Sequence, residues 1–112
     1  MIYIFKYIFI DIKKIRSVFL WNKLKRYKAV ITGNVQGVGL RFFVVDNASK
    51  LGITGWVKNM ADGTVEMEAQ GNLDKLDQLF ATIKKGNFII KVDSIDCTEI
   101  DCVEEASFII KY

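Results

Sequence analysis

The chain of 112 residues has no histidine, no proline and only two cysteines, Cys97 and Cys102. The missing histidine excludes the most. Ser-His-Asp and Cys-His catalysis are closed to this chain. So are His-ligated zinc, haem iron and the facial-triad iron site. Two cysteines do not complete a four-thiolate zinc site. An enzyme built from this sequence must work with Arg, Lys, Asn, carboxylates or backbone amides. The missing proline carries no functional signal. Long hydrophobic runs are absent as well: the N-terminal apolar stretch is cut by Lys6, Asp11, Lys13, Lys14 and Arg16.

A chain of this length fits one domain, burying about 65% of its unfolded surface. Its formal charge is +3, but the charge is uneven. Residues 1–26 carry seven basic residues against Asp11 alone, or +6, and residues 27–112 carry −3. The basic character therefore belongs to a short leader, an asymmetry found in tails that meet membranes or nucleic acid. The leader is apolar between its charges, with Ile2, Tyr3, Ile4, Phe5 and later Val18, Phe19, Leu20 and Trp21. A membrane-spanning helix needs about 20 mostly apolar residues. Each central charge adds about 2.5–3.5 kcal/mol to insertion, which argues against a span. The stretch also lacks the unbroken apolar region and small-residue cleavage site of a signal peptide. Three readings stay open: an interfacial anchor, an extra element packed on the body, or translated upstream sequence that the mature protein lacks. The last two fit the interrupted pattern better. The next methionine is Met60, so a later start would need a non-Met codon.

In the body, residues 27–34 read as a strand and 41–51 as a helix whose apolar face is Phe42, Val45, Ala48 or Ser49, and Leu51. Gly52 fits the helix end. A second strand is expected over 53–58, an Asp62-Gly63 turn after it, and a cleanly alternating strand over 64–70. Asn72 is placed to cap a second helix with an apolar stripe of Leu73, Leu76, Leu79, Phe80 and Ile83, ending at Gly86. Residues 88–100 and 106–112 read as two further strands. Strand, helix, strand, strand, helix, strand is the order of an α+β, ferredoxin-like sandwich, in which two helices cover one face of an antiparallel sheet.

The chemistry concentrates in Gly33-Asn34-Val35-Gln36-Gly37-Val38-Gly39-Leu40-Arg41. A strand runs into a short glycine loop and then into a helix. Free backbone N–H groups and the helix dipole favour an anion there. Gly37 and Gly39 let the loop amides turn inward as an anion nest. Arg41 brings a guanidinium that grips phosphate oxygens in bidentate fashion. The loop is no Walker motif, since no Gly-Lys-Ser/Thr follows, and no dinucleotide fingerprint, since Phe42 stands where the third glycine would be. On these residues alone, a phosphate cradle and a plain tight turn with a surface arginine stand level. The second feature is Asn59, ending the second strand beside the Asp62-Gly63 hairpin. Taken alone, an asparagine at a turn needs no function.

Together the two stretches resemble the acylphosphatase family over essentially all of residues 27–112. The first signature runs from Ile31 through Gly33, Gln36, Gly37, Gly39 and Leu40 to Arg41. The second matches at every fixed position from Gly55 through Asn59 to Gly71. The departure is Leu40, where the family usually carries Phe or another large residue; this touches packing behind the loop. The resemblance implies the same sandwich fold and hydrolysis of acyl phosphates to a carboxylate and inorganic phosphate. It implies Arg41 as the phosphate-binding arginine, backbone amides of Gln36, Gly37, Val38, Gly39 and Leu40 around the phosphate, and Asn59 orienting the attacking water. It implies no metal and no other cofactor. The expected partner is a small-molecule acyl phosphate, with no nucleic acid, a monomeric cytoplasmic protein, and membrane contact through residues 1–26 as the weaker reading. The alternative is a non-catalytic anion-, RNA- or membrane-binding module on the same fold.

Other residues are set aside. Cys97 and Cys102 face opposite sides of one continuous strand and do not bridge unless a turn intervenes; they read as structural thiols. Trp56, Phe42 and Phe43 read as core. Asp62, Glu66 and Glu68 read as turn and solvent face. Lys58 points away from Asn59 by strand alternation.

Overall fold

The structure is a computed structural model that describes residues 24–112. The readings of the leader as anchor, packed element or upstream sequence fall largely on residues 1–23, outside the described residues. Strand β1 (Leu24–Asn34) leads through the glycine loop to helix α1 (Leu40–Lys50). Strands β2 (Thr54–Asn59) and β3 (Val65–Asn72) form a hairpin. Helix α2 (Leu73–Lys85) follows directly, then β4 (Lys91–Ile100) and β5 (Phe108–Lys111).

The sheet order is β4-β1-β3-β2-β5. The first four strands pair antiparallel, as expected. β5 does not: it runs parallel to β2, with Gly55 opposite Phe108 and Lys58 opposite Lys111. The sheet is therefore mixed. Edge direction has no local sequence signature, because alternation reports which face is buried and not which way a neighbour runs.

One face of the sheet holds the core. Ala29 and Ile31 of β1, Val57 of β2, and Val65, Met67 and Ala69 of β3 all point to it, each fully buried. Leu40, Val44 and Ala48 of α1 and Leu76, Leu79 and Ile83 of α2 close over them in one cluster. The helix α2 stripe follows its sequence pattern, although Leu73 is half-exposed at its start. Asn72 occupies the cap position without a side-chain cap hydrogen bond. The face of α1 differs from the expected one. Leu40, Val44 and Ala48 go inward, Phe43 and Val45 pack at the margin, and Phe42 is 65% exposed. Apolar residues ring the first half of this helix, so its periodicity does not single out a face. Phe42 is thus not core, and Trp56 is only half-buried.

Among the described residues, the opposite face has no helix. There Arg26 is 2% exposed, sealed by the connection between β4 and β5. Its guanidinium donates to Glu68 (2.9 Å), to Gln70 (3.3 Å) and to both oxygens of Glu105 (2.8 and 3.2 Å). Gln70 also exchanges hydrogen bonds with Val103 through both ends of its amide. Burial opposes the Arg26 charge, but its bonds to Glu105 and Glu68 outweigh that and raise its pKa. Glu68 is accordingly an ion-pair partner rather than a free solvent-facing carboxylate, and Glu66 pairs with Lys28 at 2.9 Å.

Candidate active site

One end of the sheet gathers the features singled out in the sequence. β1 ends at Asn34, where it pairs with the first residue of β4, Lys91. β2 ends at Asn59, paired with Val65 at the start of β3, and Val65 in turn pairs with Ile31. The glycine loop, Asn59 and the 60–64 turn therefore share an end. α1 starts there too.

The loop takes the shape its glycines allow. Gly37 and Gly39 have φ of 71° and 79°, in the left-handed region. A side chain at either position would meet no atom within 4 Å, so the backbone angle, not space, calls for glycine. Val35 is 2% exposed and anchors the loop from below, and Val38 packs at the core margin. Among the described residues, none of the backbone N–H groups of 36–40 donates to another backbone carbonyl. They are the unpaired donors of a helix start, extended backward by the two left-handed glycines. Leu40, 1% exposed, packs its side chain into the core while its N–H stays at the loop. The departure at Leu40 is therefore a matter of core volume behind the cradle.

Gln36 does more than its backbone role. Its Nε2 donates to the carbonyls of Met60 (2.7 Å) and Thr64 (2.8 Å). The side chain thus clamps the loop to the turn that follows Asn59. The turn is itself closed by Met60 N–H to Thr64 O at 2.9 Å. Asp62 accepts from the N–H and hydroxyl of Thr64 at 3.0 and 2.7 Å, and these bonds hold its carboxyl below the usual range. The sequence signal for the clamp was a glutamine within the loop motif, but a contact to two carbonyls of another segment has no local signature. Asn34 Nδ2 ties the loop's other flank to Ile89 O at 3.2 Å.

Asn59 Oδ1 is buried and has no hydrogen-bond partner among the described residues. A buried unpaired acceptor costs about 1–3 kcal/mol, so such an atom marks a place where an external donor belongs. Arg41 is partly exposed and makes no hydrogen bond or ion pair among the described residues; its guanidinium lies 5.2 Å from the ring centroid of Tyr112. Its five N–H donors remain available. Among the described residues, no group of three His, Cys, Asp or Glu side chains is placed to hold a metal ion. Cys97 and Cys102 are free thiols; Cys102 lies beyond the end of β4 and donates to Leu24 O at 3.6 Å.

A glycine loop of unpaired N–H groups, an arginine without an ion pair among the described residues and a buried, unpartnered asparagine oxygen meet at one end of a ferredoxin-like sandwich. The chain belongs to the acylphosphatase family, whose model matches residues 27–110. It is 44% identical over 88 residues to an acylphosphatase of Clostridium beijerinckii, spanning 78% of this chain and 98% of that one. Among solved structures, the acylphosphatase of Bacillus subtilis superposes with a TM-score of 0.74 at 40% identity, covering 80% of this chain and 99% of that one. The acylphosphatase of Coxiella burnetii gives 0.76 at 30% identity, covering 80% and 95%.

Proposed function

We propose that the acylphosphatase reaction is carried out at this end of the sheet by Arg41, the amides of Gln36, Gly37, Val38, Gly39 and Leu40, and Asn59. The substrate is a small acyl phosphate, whose carboxyl–phosphate bond is cleaved to a carboxylate and inorganic phosphate. The loop amides and Arg41 take the three phosphoryl oxygens. Phosphoryl transfer needs mainly positioning and stabilisation of charge spread over those oxygens. Backbone dipoles fixed by the fold and a held cation supply both without reorganising during the reaction. A water donates one O–H to Asn59 Oδ1 and turns its lone pair toward phosphorus, in line with the departing carboxylate. That carboxylate leaves as a weak base, so no general acid is required of a chain without histidine. The water's proton passes to the phosphate as the new P–O bond forms.

The single observation that carries this reading is the buried, unpartnered Oδ1 of Asn59 beside a loop of unpaired N–H groups. No metal or other cofactor is called for. A cytoplasmic setting fits two free cysteines, since a reducing compartment keeps thiols unpaired. The test is phosphate release from benzoyl phosphate in the presence of a chelator, with inorganic phosphate as competitor. Expected are chelator-resistant turnover, competitive inhibition by phosphate, and loss of activity by more than about 10³ in Arg41→Gln with an unchanged circular dichroism spectrum. Robust turnover by Arg41→Gln would refute the role given to the guanidinium.

A further inference from the structure

We propose that Phe88 and Ile89, at the tip of the connection between α2 and β4, contact the acyl part of the substrate and favour acyl phosphates with an aromatic or other large apolar acyl group. The inference rests on the function proposed above and deepens it. That reading places the phosphoryl group and the water; the tip receives the rest of the substrate.

The tip is firmly built yet carries its apolar side chains in water. Asn87 Oδ1 accepts from the N–H groups of Ile89 (2.8 Å) and Ile90 (2.7 Å), and Asn87 N–H donates to Ile90 O at 3.2 Å. Ile90, 2% exposed, anchors the turn in the core. Asn34 Nδ2 donates to Ile89 O at 3.2 Å and so joins the tip to the first flank of the glycine loop. Between these fixed points Phe88 is 98% exposed and Ile89 61%. The fold gains nothing from the Phe88 ring, since burial is what makes such a ring stabilising.

The geometry of displacement points to this tip. Attacking and departing oxygens lie roughly in line through phosphorus. With the water held at Asn59, the acyl group leaves on the side of the cradle away from β2. In the sheet order β4-β1-β3-β2-β5 that is the side of β1 and β4, where the tip joins Asn34 and Lys91. β1 also overshoots Asn59: Ile31 is level with Val65 and Asn59, and Asn34 stands three residues beyond Ile31. Two strand spacings across and three residues along put Asn34 at roughly 14 Å from Asn59. A hydrogen bond of about 2.8 Å and an attack distance of about 3–3.5 Å bring the acyl carbons to roughly 8 Å from Asn59, and an aromatic ring extends beyond that. The acyl group thus fills the space between the cradle and the tip. Phe42, exposed on the first turn of α1, lies with β2 and β5 on the water's side. An acyl contact of this kind separates substrates by the apolar area they bury, and leaves phosphate itself untouched.

The experiment compares Phe88→Ser, Phe88→Leu, Ile89→Ser and Phe42→Ser with the wild-type chain. Kinetics are measured with benzoyl phosphate and acetyl phosphate, and inhibition with inorganic phosphate. Calorimetry gives the affinity of phenacylphosphonate and acetonylphosphonate, in which a CH₂ group replaces the bridging oxygen and blocks hydrolysis. Expected for Phe88→Ser is a rise of about three- to tenfold in the KM for benzoyl phosphate and in the Kd of phenacylphosphonate. Acetyl phosphate, acetonylphosphonate and phosphate inhibition should stay within about twofold. Ile89→Ser should act in the same direction, and Phe88→Leu should keep most of the preference. Phe42→Ser should keep all of it. An unchanged preference in Phe88→Ser, or an equal loss for both acyl groups, would overturn the proposal. So would a preference lost in Phe42→Ser and kept in Phe88→Ser. The phosphonates bind without turnover, so the two readings fail separately. Phosphonate binding without phosphate release from either substrate would count against the proposed reaction, and turnover indifferent to Phe88 against the acyl contact.

Discussion

At the scale of single residues, two carboxamides at the candidate site are engaged differently. Asn59 presents an unpartnered oxygen, whereas Gln36 spends its amide on the carbonyls of Met60 and Thr64. Gln36→Leu should free the loop from the turn that follows Asn59. Two carbonyls lose a donor at a partly buried position, for a destabilisation of about 1–3 kcal/mol. Turnover should fall about tenfold or more, since small misplacements of reacting groups are costly; steady-state kinetics and thermal melting together check this. Asp62 gives a pH dependence. Its folded-state pKa lies below its unfolded value because it accepts two bonds from Thr64. Its contribution is therefore full above the unfolded value near pH 4 and fades as pH falls through the lowered folded value. Hydrogen exchange in residues 60–64 should be faster in Asp62→Ala than in wild type at pH 6. A profile identical in both proteins would show that the carboxylate does not order the turn. Arg41, Asn59 and the loop glycines were singled out in the sequence because their spacing is itself the family motif, and the fold brings them to one end of the sheet. The Gln36 clamp was not legible, since it acts across segments far apart in the chain.

At the scale of elements, the glycine loop and helix α1 set the site's precision. Gly37 and Gly39 have left-handed backbones with open space beside them. Gly39→Ala should fold at a cost of about 1–2 kcal/mol from the backbone angle alone. Its phosphate affinity should drop, because any relaxation turns the Gly39 or Leu40 N–H away from the bound anion. Gly55 is a different case. It has φ of 147°, and an added Cβ would collide with the carbonyl of Glu68 in the paired strand. Gly55→Ala should therefore fail to give a stable fold, read as loss of cooperative thermal unfolding. The elements themselves were readable: each strand and helix lies within a few residues of its expected span. β1 starts at Leu24 rather than at residue 27, and α1 buries Leu40, Val44 and Ala48 rather than the face led by Phe42. The α1 error has a physical origin. Leu40, Phe42, Phe43, Val44 and Val45 surround the helix with apolar side chains, and only the docking of α1 on β2 and β5 selects among them.

At the scale of the molecule, the two faces of the sheet divide the labour. The helix-covered face carries the apolar core and, at one end, the site. The other carries the Arg26 network, which fastens the 101–107 connection beneath the sheet and so delivers β5 to its place beside β2. Arg26→Ala leaves Glu68 and Glu105 without their cation. Both carboxylates keep some access to water, so the loss should fall near or below the lower end of the buried-pair range, at about 2–3 kcal/mol. Arg26 pairs with Ile100 near the start of β1, at the end of the sheet opposite the glycine loop. Activity per folded molecule should therefore change little, whereas the melting temperature should drop clearly. The α+β class was legible from the order of periodic segments. The parallel β5 was not, because strand direction at a sheet edge is decided by the path of the preceding connection. The charge balance changes meaning in this light. The +3 total combines a +6 leader with a −3 body, so it says nothing about the site. What is positive there is local: one guanidinium and a row of amides.

The most direct test of the proposed chemistry is hydrolysis of benzoyl phosphate in ¹⁸O-labelled water by wild-type protein and by Asn59→Ala. Attack of the Asn59-bound water on phosphorus places the label in inorganic phosphate. Wild type should therefore give labelled phosphate and unlabelled benzoate. Asn59→Ala should be slower by about 10²–10³ with phosphate inhibition little changed. Label in the benzoate, or full-rate turnover by Asn59→Ala, would contradict in-line attack by a water held at Asn59.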